Sequence, residues 1–151
     1  MGWDNLRESS PKIPAIEKLV RDNKRIRILL CDPNAKSIIK ELQNVVVSTN
    51  TSARIEGTLG MLNKMRDGLA EKKNNLQIKT YNAITTHSMI IIDPSSGRGS
   101  MKVEPYPFRT PQQYRRVFII SQQHQQNLFD VYWNAFNSLW DYTDEIRPTV
   151  S

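Results

Sequence analysis

At 151 residues and a net charge of +6, the chain has the length of one domain, and its apolar fraction suffices for a real core. No apolar run approaches the roughly 18 residues needed to span a bilayer, and the first residues lack the charged-then-apolar layout of a signal peptide. Cys31 is the only cysteine, and His87 and His124 are the only histidines. That excludes an internal disulfide and any zinc-type ligand spacing, so a reducing, cytoplasmic setting with no metal and no cofactor is expected.

In chain order, residues 1–24 read as a lead-in and helix, 25–142 as an α/β domain and 143–151 as a tail. Trp3 and Leu6 read as packing residues, and the abrupt start as that of a domain within a longer protein. Ser9-Ser10-Pro11 and Pro14 signal a helix start, after which Ile13, Ile16, Leu19 and Val20 recur at helical spacing. Residues 25–31 alternate and then turn wholly apolar, as an inner strand would, with Cys31 as a small buried hydrophobe. Asp32 or Asn34 can cap the next helix, whose apolar set is Ala35, Ile38, Ile39, Leu42, Val45 and Val46.

A polar break at 48–52 precedes a helix with Ile55, Leu59, Leu62, Met65 and Leu69 on one face. Gly57 and Gly60 weaken that helix by about 1 kcal/mol each relative to alanine, and are expected where another backbone comes close. Residues 76–81 alternate as a strand. Met89-Ile90-Ile91-Ile92 is an unbroken apolar run, which predicts a central strand buried on both faces. His87 enters it at one end and Asp93-Pro94 leaves it at the other, into a Ser/Gly turn.

A strand over 100–106 puts Met101 and Val103 on one face, and Pro105, Pro107 and Pro111 make 105–113 a loop. Residues 116–120 form the last strand, and 122–142 the last helix. Its core stripe is Leu128, Val131, Tyr132, Ala135, Phe136, Leu139 and Trp140, widened by Phe129 and Trp133. So wide a stripe needs the sheet and one thing more, either a partner chain or a deeper core of its own. Strands separated by helices early and clustered late predict an α/β fold, a mixed sheet flanked by helices on both faces.

His87 at the mouth of a strand, with Gly99-Ser100 beyond the turn, can set an imidazole beside a hydroxyl. The alternative is a half-buried histidine that satisfies its own hydrogen bonds. Residues 81–120 carry five basic side chains, Arg98, Lys102, Arg109, Arg115 and Arg116, against Asp93 and Glu104. Such a basic middle favours an anionic ligand, a phosphate or nucleic acid, with solvated surface charge as the alternative. No arginine-rich run or aromatic-basic repeat points to sequence-specific nucleic-acid binding.

The element order and this central stretch together resemble one repeat of the phospholipase D-like superfamily, from residue 25 to Trp140. That family's motif strand carries histidine, any residue, lysine, four residues and aspartate, followed by Gly-Ser. Here His87 matches the histidine, Gly99-Ser100 the Gly-Ser pair, and Phe136 and Trp140 the aromatic pair of the closing helix. Met89 stands at the lysine position, Pro94 at the aspartate position with Asp93 one residue early, and Lys102 or Val103 where asparagine is expected.

The resemblance implies a histidine nucleophile that attacks phosphorus, the lysine holding the non-bridging oxygens and a second repeat's histidine protonating the leaving group. With methionine at the lysine position, the expectation is a domain without catalysis that senses a ligand or binds protein. His87, Asp93, Arg98, Ser100 and Lys102 would form its ligand pocket, for a phosphorylated small molecule or nucleotide. Its partner would be a second copy or a covalently linked domain. The alternative is a homodimeric phosphodiesterase or nuclease using His87 from each subunit.

Overall fold

A computed structural model describes residues 12–46 and 50–145. Trp3, Leu6, the Ser9-Ser10-Pro11 signal, part of the 48–52 break and the tail past Glu145 lie outside them. The elements run α1 (Lys12–Arg21), β1 (Ile26–Cys31), α2 (Lys36–Val46), α3 (Thr51–Asp67), a short 3₁₀ helix (Ala70–Asn75) and β2 (Leu76–Tyr81). Then come β3 (His87–Ile92), β4 (Ser100–Pro105), a 3₁₀ turn (Gln112–Tyr114), β5 (Phe118–Ser121) and α4 (Gln126–Glu145).

The fold is mixed α/β with helices on both faces, and its parallel and antiparallel pairings occupy two sheets. β1 and β2 pair in parallel from Ile26↔Leu76 to Cys31↔Tyr81, a geometry that requires the long helical crossover between them. Side chains alternate across this ribbon. Ile28, Leu30 and Leu76 enter a core with Val20 of α1, Leu42 of α2 and Ile55 and Leu62 of α3. Arg27 and Lys79 point the other way, onto the aromatic rings of α4.

β3, β4 and β5 form an antiparallel meander, and a second core joins Met101, Val103 and Ile120 to Phe129 of α4. α4 therefore lies across both sheets. Its Phe129, Tyr132 and Trp133 meet the meander, and Trp133, Phe136 and Trp140 meet β1 and β2.

Several expectations are corrected. β3 is an edge strand of its sheet, not a central one, and only Ser88 on it is buried while Ile92 is 58% exposed. Asp32 caps no helix: its Oδ1 accepts the Asn34 N–H at 2.8 Å, in a turn that ends β1 before α2 begins. Gly57 and Gly60 meet no other backbone, since a Cβ on either would have nothing within 4 Å. On α4, Leu128 and Val131 are exposed and Phe129 is fully buried, so the core stripe is rotated from the one predicted. α4 also starts later, at Gln126, and runs into the expected tail.

Among the described residues no helix is long and apolar enough to cross a membrane. Nor do three His, Cys, Asp or Glu side chains gather there as a metal site would need.

Candidate functional site: the His87 cavity

Residues 82–86 carry the chain from β2 into β3, and two bonds hold their end in place. The Tyr81 hydroxyl and Thr85 Oγ1 lie 3.0 Å apart, and the Tyr106 N–H donates to the Thr86 carbonyl at 2.7 Å. β3 then begins at His87, which pairs with Pro105 of β4. Odd-numbered residues of β3 share the face of Met101 and Val103, so His87 turns toward α4. Its ring meets Tyr132 edge-on, with centroids 5.3 Å apart and planes at 80°.

This histidine stands on a cavity of about 210 Å³ between the facing, unpaired sides of β1 and β3, with α4 along it. Leu29, Leu30, Cys31 and Leu42 line one part, Thr85, Thr86, Ser88 and Met89 another, and Ala135, Phe136 and Leu139 the helix side. Among the described residues, no lysine, arginine, aspartate or glutamate lines it.

Burial favours the uncharged form of three groups around it. It lowers the His87 pKa from the ordinary imidazole value, raises the Cys31 thiol to about 11 with help from Asp32, and pushes the Tyr81 phenol up. Nδ1 of His87 lies 3.4 Å from Thr86 Oγ1, and Nε2 has no hydrogen-bond partner among the described residues. The cavity thus offers an apolar wall and a neutral imidazole.

The other expected site residues are elsewhere. Ser100 pairs with Ile92, at the opposite end of β3 from His87. Five residue steps of roughly 3.4 Å put about 17 Å between the two positions, so no hydroxyl–imidazole pair forms. Lys102 pairs with Ile90 and projects from the face opposite His87. Asp93 has left the strand, at φ 48°, and its carbonyl accepts the Ser96 N–H and Oγ–H. Arg98 is exposed in the same turn, its N–H donating to Ser96 Oγ. Asp93, Arg98 and Ser100 are thus gathered at the turn, and His87 is alone at the cavity.

Gly99 has a structural task there. Its N–H donates to Gln122 Oε1 at 2.9 Å, while Gln122 Nε2 donates to the Pro94 carbonyl at 3.0 Å. Nothing in the sequence marked Gln122 as this clamp. Tyr81, Tyr106 and Tyr132, which surround His87, were legible only as strand and helix residues, although Thr85-Thr86 adjoin it in the chain.

Phe136 and Trp140, the aromatic pair of the closing helix, stack with centroids 5.9 Å apart. Together with Trp133 they hold the Arg27 guanidinium, whose Cζ lies 5.0–5.2 Å from the three ring centroids. An Arg27 amino nitrogen (Nη2) also donates to Asn137 Oδ1 at 3.1 Å. Burial lowers this guanidinium's pKa and Asp141 opposes the shift.

Set against protein-family models, curated proteins and solved structures, the chain shows no match in any of the three comparisons.

Proposed function

We propose that this chain is a non-catalytic phospholipase D-like repeat that works by binding, as the sensing or interaction module of a larger regulatory protein. One observation carries the reading: Met89, at the motif's lysine position, lines a cavity whose walls hold no charged side chain among the described residues. Phosphoryl transfer gathers negative charge on the non-bridging oxygens, and catalysis needs fixed positive groups aimed at them. A thioether supplies none. Arg98 and Lys102 stand at the far end and on the other face of the strand pair, so a phosphorylated ligand or nucleic acid held by them would lie outside this cavity. The buried Cys31 thiol accords with a cytoplasmic setting.

The test is hydrolysis of bis-(p-nitrophenyl) phosphate and of single- and double-stranded DNA, with and without divalent metal. No turnover is expected. Turnover lost in His87→Ala, with an unchanged circular dichroism spectrum, would replace this reading with the phosphodiesterase.

A second copy of the chain is the proposed partner. Leu128 and Val131 of α4 are 44% and 62% exposed, and Phe118 and Ile119 of β5 are 56% and 65% exposed, apolar side chains that a second copy would cover. Sedimentation at tens of micromolar should show a dimer. A monomer would shift the assignment to a covalently linked domain.

A further inference from the structure

We infer that the His87 cavity receives a small uncharged organic molecule, with an apolar ring or branched body and one or two hydrogen-bonding groups. This deepens the binding reading above and rests on it. The argument begins with what surrounds the space. Leu29, Met89, Phe136 and Leu139 supply apolar wall, and His87 and Thr86 supply the polar groups. Among the described residues no side chain lining the cavity offers an anion a counter-charge, so an anion there would give up its water for little in return.

The cations nearby are engaged in other contacts. Arg27 of β1 is stacked on Trp133, Phe136 and Trp140, and Lys79 of β2 lies over Trp140, 4.6 Å from its ring centroid, and donates to its carbonyl. Arg115 is paired with Glu104 at 3.7 Å. A neutral molecule loses far less on entering, and it keeps a hydrogen bond if its polar end reaches His87 Nε2, which has no partner among the described residues.

Size limits the class further. An apolar protein cavity of roughly 150 Å³ admits benzene, so about 210 Å³ takes one ring with a substituent. Pockets of this kind fix orientation through a few polar groups and take affinity from the apolar wall.

The experiment uses the full chain and two probes that differ by one group, phenol and phenyl phosphate, followed by methyl and amide NMR. Phenol should shift the Met89 methyl and the Tyr132 amide saturably, and phenyl phosphate should bind at least about tenfold more weakly. Ala135→Trp, at an exposed helix position on the cavity wall, should abolish the phenol shifts without altering the spectrum elsewhere. Met89→Lys should invert the preference toward phenyl phosphate.

Phenyl phosphate binding as tightly as phenol at these residues in the native chain would overturn the inference. So would the absence of saturable phenol shifts there up to tens of millimolar. Neither outcome touches the non-catalytic reading, which falls only if phosphodiester is hydrolysed.

Discussion

At Gly99 a Cβ would stand 2.8 Å from Gln122 Oε1, 2.9 Å from the Asp93 carbonyl oxygen and 2.9 Å from Phe129 Cζ. The Gly of the Gly-Ser pair is there because α4 and the turn close on it. Gly99→Ala must push all three tightly held groups aside, and overpacking of this kind costs about 1–3 kcal/mol. The urea midpoint should fall accordingly, while Ser100→Ala stays within about 0.5 kcal/mol of the native chain. His87 gives a pH effect with a definite sign. Its folded pKa lies below the ordinary 6.5, so between those values the unfolded chain binds more protons. Stability is therefore lost as pH falls from 6.5 toward the folded pKa. Of the other titratable groups around the cavity, Cys31, Tyr81 and Tyr106, burial holds the first two uncharged. Urea midpoints measured at pH values about one unit above and below the ordinary imidazole value should differ less in His87→Gln than in the native chain.

Among the elements, α3 shows how a helix can be stable against its own composition. Thr51, Ile55, Thr58 and Leu62 repeat at helical spacing and are buried, so packing holds a helix that carries two glycines. Gly57 and Gly60 lie on the exposed side with open space where a Cβ would go. Replacing either by alanine should raise stability by about 1 kcal/mol, and the double variant by about twice that, in thermal or urea unfolding. α4 shows the opposite limit. Its apolar residues go so far round that the sequence fits more than one rotation of the helix. Contact between Phe129 and Gly99 selects the observed one, which leaves Val131 in solvent.

The whole molecule is tied together at two places. α4 spans the parallel pair and the meander, with Arg27 and Lys79 resting on its rings. On the other side of the meander, Arg115 reaches from the 106–117 connection to Glu104 of β4. Its Nε donates to the Thr110 carbonyl at 3.1 Å, and its guanidinium lies over Tyr106. Their side chains are 3% and 11% exposed, so removing one partner leaves the other charge buried. Arg115→Leu should cost about 3–5 kcal/mol. Adding Glu104→Gln should recover part of that loss, which chemical denaturation of the single and double variants would measure.

Elements and their order were legible in the sequence because hydrophobic period, turn residues and prolines act locally. Residues 76–81, the apolar run after His87 and the Met101/Val103 face could all be read from neighbours a few positions away. Tertiary structure decided the rest. An apolar run such as Met89–Ile92 does not say whether its strand ends in the middle of one sheet or at the edge of another. That depends on which backbone edges find partners. Register decided the site as well: antiparallel pairing of β3 with β4 sends His87 and Ser100 to opposite ends, though the intervening turn had made them look like neighbours. The His87 cavity is made by β1, β3 and α4 together, from residues 29 to 139, and only folding brings those segments to one place.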